Sequence, residues 1–128
     1  MANQKILVID DEQELLSLLR LRLEKAGYTV CLANNGREGI QQAKEEFPNA
    51  ILLDLMMPGM DGFQVCKKLK SDGETSSIPI VALTALGEEE SAKKALKLGV
   101  KTYIVKPFDS EMLLSALQEV LKVNIAQE

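Results

Sequence analysis

Ala50-Ile51-Leu52-Leu53-Asp54 runs directly into Leu55-Met56-Met57-Pro58-Gly59-Met60-Asp61-Gly62. A run of apolar residues bounded by turn chemistry is the pattern of a strand buried on both faces. Asp54 closes that run, at a point where packing alone calls for no carboxylate. The Pro, Gly and Asp-Gly that follow read as a loop, with Asp61-Gly62 as a turn and helix-entry signal. The stretch predicts a core strand that presents one acid at its carboxyl end. Asp54 is therefore the candidate reactive group.

Three other apolar runs share this design. Ile6-Leu7-Val8-Ile9 ends in Asp10-Asp11, Ile80-Val81-Ala82-Leu83 runs into Thr84, and Thr102-Tyr103-Ile104-Val105 stops at Lys106-Pro107. Tyr28 to Ala33 is a mixed, β-branched strand candidate, and Pro79 is tolerable as the first residue of its strand.

Helical patterns fill the gaps. Asp11 is a candidate N-cap with Glu14 as its capping-box partner. Leu15, Leu16, Leu19, Leu23 and Ala26 then share one face, and Gly27 ends the helix. Leu18 and Leu21 fall off that stripe, either as ordinary exposed leucines or as part of a partner-binding surface. The turn Asn34-Asn35-Gly36 opens a helix with Ile40, Ala43 and Phe47 inward, stopped by Pro48. Phe63, Cys66, Leu69 and Lys70 mark a third helix, followed by a polar loop from Ser71 to Ser77. Glu88-Glu89-Glu90 with Lys93-Lys94 gives two Glu-to-Lys pairs four residues apart on a fourth, closed by Gly99. Asp109 or Ser110 caps a fifth carrying Met112, Leu113, Leu117, Val120 and Leu121.

Strands that alternate with helices and read as solid apolar runs call for a parallel sheet covered on both sides. The expected class is α/β, with one domain over residues 1–122 and a tail or the start of a linker over 123–128. Bulk properties narrow the function further. A chain of 128 residues can bury a substantial core without staples. Its net charge of -4 argues against nucleic-acid or anionic-membrane surfaces, and no apolar run reaches the ~20 residues of a membrane span. No signal-peptide pattern opens the chain, and Cys31 and Cys66 read as reduced core thiols, which fits a cytoplasmic protein. There is no histidine, so imidazole is unavailable as base, metal ligand or phosphoryl carrier.

In an open α/β sheet, ligand chemistry sits beyond the carboxyl ends of the strands, where strand order reverses. Asp10, Asp11, Asp54, Thr84 and Lys106 all fall at that edge. A strand order of 2-1-3-4-5 brings the three carboxylates together. Two carboxylates ~5 Å apart repel by about 3 kcal/mol at an effective dielectric near 20. Three of them call for a cation. Carboxylates without His or thiolate favour a hard divalent ion, and Mg²⁺ suits a site awaiting a phosphoryl group. Lys106 can pair with Asp54 at rest and with phosphate oxygens later, while Thr84 supplies a hydroxyl donor. Taken singly, Asp10-Asp11 is also a helix cap, Asp54 a turn acid, Thr84 a β-branched strand residue and Lys106-Pro107 a turn. Their joint placement is what carries the reading.

Ile9-Asp10-Asp11-Glu12, Leu53-Asp54-Leu55-Met56-Met57-Pro58-Gly59-Met60-Asp61-Gly62, Leu83-Thr84-Ala85 and Tyr103-Ile104-Val105-Lys106-Pro107-Phe108 together resemble the receiver domains of two-component response regulators, over roughly residues 5 to 122. The resemblance implies a flavodoxin-like (βα)5 sandwich with strand order 2-1-3-4-5. It implies that Asp54 is the phosphoacceptor and that Asp11, Asp54 and the backbone carbonyl of Met56 ligate Mg²⁺, with Asp10 acting through water. Thr84 and Lys106 would hold phosphoryl oxygens, Lys106-Pro107 would be a cis peptide, and Tyr103 would be the aromatic that swings inward as Thr84 follows the phosphate. The implied donor is a phosphohistidine on a sensor histidine kinase or phosphotransfer protein. The implied output is a protein contact through the fourth helix, fifth strand and fifth helix, with no direct nucleic-acid or membrane binding.

Met56 and Leu86 are apolar and cannot orient an attacking water, so intrinsic loss of the phosphoryl group should be slow. Rival classes fit less well. A flavodoxin-type nucleotide binder wants a Gly-rich phosphate loop where Asp10-Asp11-Glu12 stands, and no G-x-G-x-x-G is present. A Mg²⁺-dependent phosphohydrolase wants a second acid where Met56 stands. Nothing after residue 122 resembles an output domain. Ser115-Ala116-Leu117-Gln118-Glu119 also lacks the basic residues typical of receiver pairing in winged-helix regulators. The expectation is a stand-alone receiver, the alternative an excised N-terminal receiver of a larger regulator.

Overall fold

A computed structural model describes residues 4–126, with side chains through 121. Strand and helix alternate throughout: β1 Lys5–Ile9, α1 Gln13–Lys25, β2 Thr29–Ala33, α2 Gly36–Glu46, β3 Ala50–Asp54, α3 Gly62–Ser71, β4 Ile80–Ala85, α4 Glu89–Leu98, β5 Thr102–Lys106 and α5 Ser110–Ala126. All strand pairs are parallel, in the order β2-β1-β3-β4-β5. This is the flavodoxin-like architecture. The solid runs Ile6–Ile9, Ala50–Leu53 and Ile80–Leu83 are 0% exposed, as strands covered by helices on both faces must be.

Side chains alternate across the pleat, so the central strands β1, β3 and β4 feed two cores. Leu7, Ile9, Ile51, Leu53 and Ala82 pack with Val65, Cys66, Leu69 and Ala95 of α3 and α4. Ile6, Val8, Leu52, Val81 and Leu83 pack with Leu16, Leu19 and Leu23 of α1 and with Leu113 and Leu117 of α5. Truncating any of the fully buried leucines to Ala would cost about 2–5 kcal/mol. The register aligns the strand ends: Ile9 lies opposite Leu53, Asp54 opposite Leu83 and Ala85 opposite Lys106. Every residue just past those ends therefore faces one edge.

The helix entries are local chemistry. Asn35 accepts from the Glu38 N–H at 2.8 Å, and Asp61 forms a capping box with Gln64 that starts α3. Asp109, rather than Ser110, caps α5 by accepting from the Met112 N–H at 2.8 Å. Helix α5 continues past residue 122 to Ala126, and residues 127–128 of the expected tail lie outside the described residues.

Several expectations need correction. Asp11 does not cap α1; Glu12 holds the N-cap position without a side-chain cap bond, which leaves the Asp11 carboxylate free. Ala26 is exposed because α1 ends at Lys25, whereas Leu18 and Leu21 are exposed leucines at 42% and 65%. Phe47 is not inward. It is 67% exposed with φ +49, because buried Pro48 disfavours helical backbone before it and the chain must reverse there. Cys31 is only half-buried on edge strand β2, while Cys66 is a core thiol; both are free. On α4 the pairs four residues apart do not form. Lys93 meets Glu90 at 3.7 Å, and Lys94 instead lies 4.4 Å over the Phe63 ring of α3.

Candidate functional site

Asp10, Asp11 and Asp54 converge as anticipated, with one oxygen of each within 4.8 Å of the others. Asp10 and Asp54 are buried at 0% and 4% exposure, while Asp11 is exposed. Each buried acid bends the chain back over the sheet edge. The Glu12 N–H donates to Asp10 Oδ1 at 2.9 Å, and the Met56 N–H donates to Asp54 Oδ1 at 3.0 Å. These bonds leave Oδ2 of each acid facing Lys106. Lys106 Nζ lies 3.1 Å from Asp10 Oδ2, 3.5 Å from Glu12 Oε1 and 3.7 Å from Asp54 Oδ2. At rest Lys106 is thus held closer to Asp10 than to Asp54, which differs from the simple Asp54 pairing. The Asp54 oxygen that takes the Met56 N–H is turned away from it.

The electrostatics describe a site short of positive charge. Burial pushes the Asp54 carboxyl up to about 6; the Met56 N–H opposes this and the neighbouring Asp10 charge adds to it. Burial likewise raises Asp10, although the Glu12 N–H and Lys106 pull it down. Burial alone would lower Lys106, but Asp10 and then Asp54 more than offset it, and the ammonium ends raised. Both sides of the ion pair therefore rise. The attraction wins at Lys106, which answers several acids, and loses at the acids, which share one lysine. A hard cation placed among these oxygens would relieve the deficit, and the all-carboxylate donor set suits one.

Thr84 is 2% exposed and its Oγ1 has no hydrogen-bond partner. A buried hydroxyl without a partner calls for an explanation. Tyr103, on β5, is 40% exposed. Met56 and Leu86, at 53% and 80% exposure, are apolar and exposed on the loops after β3 and β4. Lys106-Pro107 is cis.

Two contributors were not legible in advance. Glu12 is a third carboxylate on Lys106; its only signal was adjacency to Asp10-Asp11. Gly62 is the other. A Cβ there would sit 2.5 Å from both the Asp54 carbonyl oxygen and Leu55 Cα, so only glycine lets α3 begin against the end of β3. The pair Asp61-Gly62 had signalled only a turn and a helix start.

The family model described as response regulator receiver domain matches residues 6–118. The chain is 38% identical to protein PilH of Pseudomonas aeruginosa, covering 91% of this chain and 97% of that one. It is 39% identical to the alkaline phosphatase synthesis transcriptional regulatory protein PhoP of Bacillus subtilis, over 94% of this chain and 49% of PhoP. The match to the probable transcriptional regulator ycf27 of Porphyridium aerugineum is 43% identical, over 95% and 50%. The chain thus spans about half the length of these two regulators. Among solved structures, the chemotaxis response regulator CheY4 of Vibrio cholerae superposes with a TM-score of 0.87 at 32% identity, over 93% of this chain and 99% of that one. The receiver domain of a Pseudomonas aeruginosa sensor histidine kinase, solved with a magnesium ion in its active-site cleft, gives 0.86 at 28% identity, over 94% and 99%. Among the described residues no helix is long and apolar enough to cross a membrane. The fold, the acidic edge and the family match agree: the chain belongs to the response regulator receiver domain family.

Proposed function

We propose that this receiver accepts a phosphoryl group on Asp54. The observation that carries the reading is the cluster of Asp10, Asp11 and Asp54 around Lys106, at the sheet edge that ends β4 with the unpartnered Thr84 hydroxyl. An Asp54 carboxylate oxygen attacks phosphorus in line, the bond from phosphorus to the donor's imidazole nitrogen breaks, and the imidazole leaves. The donor is external, a sensor histidine kinase or phosphotransfer protein, because this chain has no histidine. Such transfers depend on positioning and charge neutralisation more than on covalent help from the protein.

Mg²⁺ is the cofactor we assign to the acidic cluster, supported by its oxygen donors and by the magnesium-bound histidine-kinase receiver. Asp11, Asp54 and the Met56 carbonyl would hold it, with Asp10 reached through water; when bound it neutralises charge on the phosphoryl oxygens. Lys106 Nζ takes one remaining oxygen and the Thr84 hydroxyl donates to another. Tyr103 then turns inward behind Thr84. The chain is a phosphoacceptor switch, not an enzyme acting on other substrates, and it works in the cytoplasm. Its output is a change in the surface formed by α4, β5 and α5.

PilH, matched over 97% of its length, supports a receiver acting by itself, which would then signal through protein contact. The half-length match to PhoP and ycf27 supports a second reading, a receiver tethered to a transcriptional output domain. The test of the shared core is intact mass after incubation with Mg²⁺ and acetyl phosphate. Gain of one phosphoryl mass, absent with EDTA and in Asp54→Asn, is the expected result. A gain that persists in Asp54→Asn would move the acceptor elsewhere.

A further inference from the structure

The α3–α4 face carries a segregation of charge that the phosphoacceptor site does not use. Residues 62–71 and 91–101 hold seven of the chain's 15 basic residues and none of its 19 acidic ones, although the whole chain is net negative. Some of this complements the helix dipoles: Lys68, Lys70 and Lys97 lie in the last turns of α3 and α4. Lys67, Lys94 and Lys101 do not fall there. Lys67, Lys68, Lys94, Lys97 and Lys101 are exposed, and among the described residues none pairs with a carboxylate.

Lys67, Lys68 and Lys94, with half-buried Lys70, line a seam with a defined shape, and Lys97 and Lys101 add exposed charge on α4 and just beyond it. Phe63, Lys67 and Lys70 stack at helical spacing on the side of α3 that meets α4. Lys94 reaches across to lie over the Phe63 ring, and Lys67, Lys68 and Lys70 border a shallow groove with Leu98. Lys70 is fixed there, its Nζ donating to the Ser76 and Ile78 carbonyls at 3.0 Å each.

We propose that this seam docks an acidic segment of a partner protein, its carboxylates over the lysines and an apolar side chain against Leu98. A nucleic acid is disfavoured on three grounds. All 19 acidic residues lie outside the seam, and a polyphosphate would extend over that surface within a Debye length of ~8 Å. The cations are lysines rather than the planar forks of arginine. Phe63 is capped by Lys94 and not free to stack on bases.

The proposal is independent of phosphorylation and is tested on both the wild-type chain and Asp54→Asn. The probe is a short peptide of Glu, Asp and Leu, titrated into the full chain and followed by amide NMR shifts. Shifts should map to α3 and α4, and affinity should fall roughly tenfold when salt is raised from about 50 to about 300 mM. Lys67→Glu/Lys94→Glu/Lys97→Glu should abolish binding, and Arg20→Glu/Arg22→Glu on α1 should not change it. Lys67→Gln/Lys97→Gln, which keeps good helix formers, should weaken binding partway and guards against misfolding of the triple variant. No shifts, shifts confined to α1, tighter binding of duplex DNA than of the peptide, or self-association through this face would overturn the proposal.

Discussion

Replacing Asp54 by Asn should stabilise the metal-free protein at neutral pH. The folded carboxyl titrates at about 6 against an ordinary 3.8, chiefly because burial disfavours its charge. The folded state therefore binds this proton more tightly than the unfolded chain does. The stability is fully present below pH 3.8 and is lost as pH rises through about 6. A difference of roughly two units corresponds to about 3 kcal/mol above that range and about 1 kcal/mol near pH 4.5. Asn keeps an oxygen for the Met56 N–H, so the variant removes mainly the charge. Asp10 is buried in both proteins, so its own burial penalty subtracts out to first order. Urea unfolding in EDTA, followed by circular dichroism, should show Asp54→Asn more stable by about 3 kcal/mol at pH 7.5, the gap shrinking to about 1 at pH 4.5. Mg²⁺ at about 100 times its Kd should return about 2.7 kcal/mol to the wild type and close most of the gap. A variant no more stable than wild type at pH 7.5, or a gap indifferent to acid, would refute the reasoning.

Lys106→Met should destabilise the metal-free fold by about 2 kcal/mol, because it leaves Asp10 and Asp54 buried without their shared cation, and phosphoryl uptake should slow in the same protein. Gly62→Ala should cost about 1–3 kcal/mol in chemical denaturation, since the new Cβ meets backbone at Asp54 and Leu55 rather than a side chain that can turn aside. Once loaded, Asp54 should lose its phosphoryl group slowly in the absence of a phosphatase, because exposed Met56 and Leu86 offer no group to orient water; rapid decay of the phosphorylated mass would contradict this.

The sheet was legible because its strands are nearly pure apolar runs, and parallel order follows once helices alternate with them. The site was legible for the same reason: Asp10, Asp54, Thr84 and Lys106 interrupt or end runs that have no packing use for them. What escaped depends on approach between distant elements. Lys94 stands four residues after Glu90, yet Phe63 from the neighbouring helix captures it. Phe47 has the spacing of a core residue, but the reversal before Pro48 carries it outward. Glu12 became part of the site only through the reach of Lys106 across the edge from β5, and Gly62 only through the backbone of β3 against it.

Under the proposed function, the geometry also sets how the work of switching would divide between Lys106 and Thr84. Turning a population from 1:99 to 99:1 needs about 5.5 kcal/mol of differential contact. Phosphorylation adds roughly one further negative charge beside Lys106, worth about 4 kcal/mol at 4 Å and an effective dielectric of 20. Lys106 must first loosen its hold on Asp10 at 3.1 Å and Glu12 at 3.5 Å, each an attraction of about 5 kcal/mol at the same dielectric, and giving up even part of either takes back much of that gain. Lysine alone then falls short. A hydrogen bond from the Thr84 hydroxyl to a charged oxygen contributes about 1.5–3 kcal/mol, and its donor is already buried without a partner to give up. Thr84→Val should therefore be at least as stable as wild type when unphosphorylated, and should load phosphoryl groups from acetyl phosphate. In its beryllofluoride-bound form about 40–90% of the molecules, rather than about 99%, should turn Tyr103 inward. The ring signals of Tyr103 read that fraction directly. Complete switching in Thr84→Val would assign the whole response to Lys106 and the cation, and the vacant hydroxyl would need another role.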